Sequence, residues 1–244
     1  MHARATKRSN PTVRSVAARP RRSGRPRATA ASKIYSDLRA ELVSLQRRPG
    51  EVMSEAKIAL SYGVSRTPVR EAILKLADER LVEIFPQSGI FVSRIPIAAL
   101  PEAIIVRKAL EETTSGMAAD RATSSQILAL HSILERQREA NAAGDSDAFH
   151  RADEQFHATI AEVAGYPGIW TLIQHVKVHV DRYRRLTLPQ RGRIPRVIAE
   201  HESILSAIEA HDASGAKTAM ATHLDSLLDN IALTQHINPE FFDK

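Results

Sequence analysis

Gly63-Val64-Ser65-Arg66-Thr67-Pro68-Val69-Arg70-Glu71-Ala72-Ile73 places a tight turn, a helix start and two outward arginines in one short stretch. Gly63 can take the φ > 0 backbone that a sharp turn between helices needs. Ser65 suits an N-cap, and Pro68 is tolerated in the first helical turn, where backbone N–H groups lack intrahelical acceptors. Val69, Ile73 and Leu76 recur at i, i+4, i+7, so one face of this helix turns toward a core. Arg66 and Arg70 lie four apart on a different face, with Thr67 beside them. A guanidinium fork matches a guanine edge or a phosphate, and threonine suits a thymine methyl or a phosphate. The stretch predicts a helix that enters a DNA major groove.

The flanking residues extend this to a winged helix-turn-helix over residues 33–95. Ile34, Leu38 and Leu42 predict an amphipathic first helix ending near Arg48-Pro49-Gly50. Ser54 is placed to cap a short second helix carrying Ile58 and Ala59. Leu81-Val82-Glu83-Ile84 and Ile90-Phe91-Val92 predict two strands joined by Phe85-Pro86-Gln87-Ser88-Gly89, a hairpin wing with Gly89 at its tip.

Pro49-Gly50, Ser54-Glu55, the Gly63–Ala72 run, Leu76-Ala77 and Gly89 together resemble the DNA-binding domain of GntR-type transcriptional regulators. The resemblance implies that Arg66 and Arg70 contact DNA, with Ser65 and Thr67 beside them and Gly89 at the wing. At the start of the second helix the family often carries an arginine after the Ser-Glu pair. This chain has Ala56 and then Lys57, so Lys57 is expected to supply charge alone.

Composition bounds the remainder. At 244 residues the chain is long enough for one or two domains with real cores. It has no cysteine, which excludes a disulfide framework and a thiolate metal site and suits a reducing cytoplasm. No apolar run approaches the length of a membrane span. Residues 1–33 hold ten Lys/Arg and no Asp/Glu, so they carry +10. The chain total is +6, which leaves −4 on residues 34–244. Residues 1–32 are therefore expected to be a disordered basic arm adding nonspecific phosphate contacts, with a transit peptide or an early start codon as rival readings.

From residue 97 to 236 the pattern predicts one antiparallel bundle of six helices, followed by a tail over 237–244. The helices are expected near 100–122, 125–142, 147–164, 169–186, from the loop at 189–195 to about 210, and 214–234. The fold class is thus mainly α. In the bundle, Asp153 and His157 are four apart on one helix face. His201 and His223 on later helices can complete a site for Zn²⁺, Ni²⁺ or a similar divalent ion. On spacing alone, satisfied or exposed histidines are the stronger reading, since Asp-x3-His is frequent and the chain has ten histidines. The helical part, however, resembles the FCD effector domain of the FadR-like branch. Asp153-Glu154-Gln155-Phe156-His157, Glu200-His201 with Ile204, and His223-Leu224 are similar to the signatures supplying Asp, His, His and His to the metal of such domains. His150, and His175 with His179 as a second i, i+4 pair, are expected to be surface or lining residues. The first bundle helix is expected to present Ala103, Val106, Leu110 and Met117 to the core, with Arg107 at the stripe's edge. Arg107 either snorkels to pair with Glu111 or, as in many FCD domains, points inward above the metal to bind an effector carboxylate.

Three functions compete. The first is a homodimeric, cytoplasmic, ligand-responsive regulator, not an enzyme, that reads a pseudo-palindromic operator and is released by a small organic acid at the metal. The second is a metal-dependent hydrolase or oxygenase on a helical bundle. It would want His-Glu-x-x-His or paired Glu-x-x-His motifs, and neither occurs. The third is an architectural DNA-binding protein, which needs no imidazole-lined bundle. The first is favoured.

Overall fold

Ile34, Leu38 and Leu42 are at most 1% exposed, as their 3.6-residue spacing requires. The computed structural model describes His2, residues 29–229, 231–237 and 239–243, so most of the expected basic arm lies outside the described residues. The winged-helix part contains α1 (Ala30–Val43), β1 (Val52–Met53), α2 (Glu55–Tyr62), α3 (Arg66–Asp78), β2 (Val82–Phe85) and β3 (Gly89–Val92). Thr29 caps α1 through its side chain, so this helix starts inside the stretch expected to be disordered, and it ends at Val43 rather than near Arg48. Gly63 closes α2 in the left-handed conformation, φ 64°, as the turn requires.

Central β3 is flanked by β1 and β2, both antiparallel, with Val52 opposite Phe91 and Ile84 opposite Ile90. The two-residue β1 went unanticipated because it is too short to show an alternating pattern. Gly89 pairs with Phe85 at the base of the loop, φ 115°, so the wing tip is Pro86–Ser88 and not Gly89.

The bundle comprises α4 (Ala99–Arg121), α5 (Ser124–Ala142), α6 (Ser146–Val163), α7 (Pro167–Val176), α8 (Val178–Thr187), α9 (Arg193–Glu209), α10 (Ala213–Asp225) and α11 (Ile231–Ile237). The fourth expected helix is two, broken at Lys177, whose buried ammonium is held by Glu154 and Asp181. The sixth gives way to a 3-10 turn at Ser226–Leu228 before α11. Pro195 falls inside the first turn of α9, where its missing N–H costs no helical bond.

The buried face of α4 is rotated from the expected stripe. Leu100, Ile104, Arg107, Glu111, Thr114 and Ser115 are buried, Val106 is 39% exposed, and Leu110 and Met117 are only half-buried. A simple apolar count misplaces the face because a charged pair, Arg107 with Glu111, occupies its centre.

Among the described residues two large apolar cores result, beside a small cluster of Ala161, Trp170 and Ile173. One holds Ile34, Leu38, Val69, Ile73, Leu76 and Leu81, and the larger one Leu130, Phe149, Phe156, Ile204, Leu205 and Met220. Full burial of each such side chain contributes about 1.5–3 kcal/mol. The cores meet at α8: its first residue, Val178, packs into the winged-helix core.

Candidate nucleic-acid interface and metal centre

On α3, Val69, Ala72, Ile73 and Leu76 are buried, which turns Arg66, Thr67 and Arg70 outward. The three line one shallow surface with Glu55, Glu71 and Leu74. No hydrogen bond ties Arg66, Thr67 or Arg70 to another side chain among those described, so the forks remain available to an anion. Ser65 occupies the N-cap position but makes no side-chain cap bond, contrary to its expected role. Its hydroxyl is exposed beside Arg66. Lys57 is exposed on α2, which Ser54 caps through the Lys57 N–H. The wing carries Gly89 below its tip.

The second site is buried. His157 from α6, His201 from α9 and His223 from α10 bring ligand atoms within 4.8 Å of one another. The three side chains are at most 3% exposed, and their ring centroids lie 4.7–5.2 Å apart. His201 Nδ1 donates to Gln137 Oε1 at 2.9 Å, and His223 Nδ1 donates to Glu200 Oε2 at 2.8 Å. Each bond fixes the tautomer that leaves Nε2 with a lone pair. All three Nε2 atoms are buried without a hydrogen-bond partner among the described residues. Burial holds His201 well below the ordinary imidazole value, an effect that neighbouring His223 adds to. Burial likewise lowers His223, to about 4, although Glu200 works the other way. Both rings are therefore neutral at pH 7. Three buried imidazoles with clustered, unpartnered nitrogens fit the donor set of Zn²⁺ or Ni²⁺.

Asp153 is adjacent and is held by Arg184. Its Oδ1 lies 3.7 Å from His201 Nε2, while Arg184 of α8 forks both oxygens at 2.6 and 2.7 Å. Burial opposes ionisation of Asp153, yet the guanidinium overcomes it and holds the carboxyl well below its usual range. Arg107 is 1% exposed and donates from Nε to Glu111 Oε1 at 2.6 Å, while Glu111 Oε2 lies 2.6 Å from His157 Nδ1. Arg107 thus pairs with Glu111 as one expectation has it, but inside the bundle rather than by snorkelling, and its Nη1 has no hydrogen-bond partner among the described residues.

The remaining histidines divide. His175 is exposed, whereas His150 and His179 are buried and line clefts, within the expectation of surface or lining positions. His175 and His179 also lie on different helices, separated by the break at Lys177. His150, Glu154 and Asp181 form a second cluster, but the Lys177 ammonium already bridges its two acids and takes the place of a cation. Glu154, the residue weighed as a hydrolase's base, is thereby held by Lys177. No motif marks Arg184 or Gln137 as site residues. One lies in a charged run and the other in an ordinary amphipathic helix, and only packing turns them inward.

Comparison with known proteins agrees with this architecture. Residues 30–92 match the gntR family of bacterial regulatory proteins, and residues 102–226 match the FCD domain. The chain is 36% identical over 209 residues to an HTH-type transcriptional regulator in an unstable DNA locus of Streptomyces ambofaciens, covering 86% of this chain and 88% of that one. It is 31% identical over 212 residues to the HTH-type transcriptional repressor RspR of Escherichia coli K12, covering 87% and 93%. Among solved structures it resembles E. coli McbR/YncC, with TM-score 0.72, 22% identity, and 86% and 98% of the two chains covered. The chain belongs to the gntR family and carries an FCD domain; it is a transcriptional regulator and not an enzyme.

Proposed function

We propose that this gntR-family chain is a cytoplasmic, homodimeric repressor whose hold on a pseudo-palindromic operator is relieved by a small organic acid bound at a divalent metal in the FCD domain. The observation that carries the reading is the trio of buried Nε2 atoms without partners, on His157, His201 and His223. A buried acceptor left unsatisfied costs about 1–3 kcal/mol, so three pointed at one another imply a shared occupant. The three imidazoles would hold the ion, with Asp153 as a fourth ligand that Arg184 orients, and Zn²⁺ or Ni²⁺ suits the set. Bound there, the ion supplies a Lewis-acidic position for a carboxylate oxygen.

Arg107 supplies the opposite jaw. Its unpartnered Nη1 is inside the bundle, and a planar fork matches a carboxylate. Hydroxy-, keto- and sugar-derived acids fit this chemistry, and bulky acyl thioesters do not. Arg66, Arg70, Thr67 and Ser65 would contact the operator, with Lys57 and the wing at Gly89 adding backbone contacts. For the dimer, Ile105 and Val106 of α4 and Leu172 and Val176 of the adjoining α7 are exposed, 67, 39, 60 and 36%, and offer an apolar face to a second copy. The repressor sense follows the printed name of the relative RspR.

The test is fluorescence anisotropy on operator DNA with tag-free protein of known metal content, titrated with a panel of acids. An acid should weaken operator binding only in metal-loaded protein. Arg107→Ala should bind that acid about 1.5–3 kcal/mol more weakly while keeping metal and DNA. Protein that neither contains nor takes up Zn²⁺ or Ni²⁺ would rule out the centre.

A further inference from the structure

Three consecutive residues of α8 reach three different parts of the protein. Arg182 donates from Nη2 to the carbonyl of Ser93, where the chain leaves β3 for α4. Tyr183, fully buried, packs edge-on against Phe242, with ring centroids 6.5 Å apart at 61°. Arg184 forks Asp153 beside the imidazoles. The same α8 begins with Val178 in the winged-helix core.

Phe242 belongs to a C-terminal segment, residues 239–243, that lies beyond the part of the chain matched by the FCD domain. The segment runs alongside the linker between the winged helix and the bundle. Ile95 and Phe242 form a parallel bridge: Ile95 N–H donates to Phe241 O at 2.8 Å, and Asp243 N–H donates to Ile95 O at 3.2 Å. Ile97 N–H donates to Asp243 Oδ1 and Arg94 Nε donates to Glu240 O, each at 3.2 Å. Phe242 itself is 2% exposed and sits in the bundle core. The linker is therefore gripped on one side by Arg182 and tied to the C-terminal segment by main-chain bonds, while an aromatic anchor sinks that segment into the bundle. Isolated turns of backbone this short, without such partners, open readily.

We propose that residues 239–243 are a strap that fixes the placement of the winged helix on the bundle by holding the linker against α8. Phe242 is its anchor, and Asp243 is its clasp on Ile97. Because Arg182, Tyr183 and Arg184 are neighbours on one helix, the strap also makes that placement answer to the imidazole cluster. This second clause rests on the reading under Proposed function; the first does not.

The absence of cysteine in the chain permits a clean test. Ser61→Cys on α2 and Ser125→Cys on α5, both exposed, are spin-labelled in the full chain, which is then diluted into excess unlabelled chain. Deleting residues 239–244 should broaden the distance distribution between the labels. It should also speed hydrogen exchange at Ile95 and Ile97 by about tenfold or more, while amides of α6 keep their protection. Asp243→Ala, which leaves the core anchor in place, should accelerate Ile97 alone. An unchanged, narrow distribution in the deletion overturns the proposal. So does exchange that rises equally throughout the bundle, because the segment would then merely seal the core. Operator affinity and metal content are read on the same proteins. If the wild type holds no metal, the Proposed function fails and the strap still stands on its distances. If the deletion keeps metal and still releases the operator fully with acid, the coupling clause fails.

Discussion

Asp153→Ala is the perturbation that separates what Asp153 does for folding from what it does for a metal. In the structure its two oxygens are held by Arg184 at 2.6 and 2.7 Å, and the two side chains are 0% and 2% exposed. Removing the carboxylate leaves a guanidinium buried without its counter-ion, a loss of about 3–5 kcal/mol. For a chain of this size each kcal/mol moves Tm by about 2–4 °C, so the fall should be about 6–20 °C. The measurement is thermal and urea unfolding in EDTA, where metal contributes nothing. Asp153→Leu combined with Arg184→Met removes both charges and should recover most of the loss, since a buried pair exchanged for apolar groups is near neutral. The sign with pH is fixed as well. The folded carboxyl is held well below its usual value, so its contribution is complete above about pH 4 and is lost as pH falls through the folded value. A loss under about 1 kcal/mol in EDTA, or a double variant as unstable as the single one, would refute the buried-pair argument.

Three further outcomes follow from the geometry. His179 is lowered to about 3 by burial and then by Arg182 and Arg80, against about 6.5 when unfolded. The unfolded chain takes up protons first, so its stabilising effect is full above about pH 6.5 and drains as pH falls toward 3; His179→Gln should flatten that slope of Tm, and an unaltered slope counts against it. Gln137→Leu removes the acceptor that fixes the His201 tautomer and should weaken Zn²⁺ affinity by about 10–100-fold in competition with a chelator, with His175→Ala as the silent control. Arg66→Ala should cost about 1–3 kcal/mol on the operator and relax the preference at one base, whereas deleting residues 1–28 should weaken all DNA equally and flatten the salt dependence; unchanged discrimination in Arg66→Ala excludes base reading.

The winged helix was legible because its signals are local. Gly63 in the left-handed conformation, the Ser54 cap and the Val69–Ile73–Leu76 stripe depend on backbone sterics and periodicity within a few residues. The same locality placed four bundle helices to within a residue or two at most ends, and it put Arg66, Thr67 and Arg70 on the outer face. The imidazole set was legible only with the family resemblance, since Asp-x3-His and scattered histidines are common.

What the sequence left undecided depends on distant groups meeting. The ammonium of Lys177, at the break between α7 and α8, can be buried because Glu154, from another helix, satisfies it together with Asp181. The rotated face of α4 exists because Arg107 and Glu111 neutralise one another in the core. Arg184 and Gln137 look like surface residues until α6, α8 and α9 pack and bring Asp153 and His201 to them. The C-terminal segment carries no motif at all, and only closure of the bundle around Phe242 gives it a place. Periodicity decides which residues turn inward on one helix, but a buried charge is tolerated only where another element delivers its partner. That pairing is set by tertiary structure.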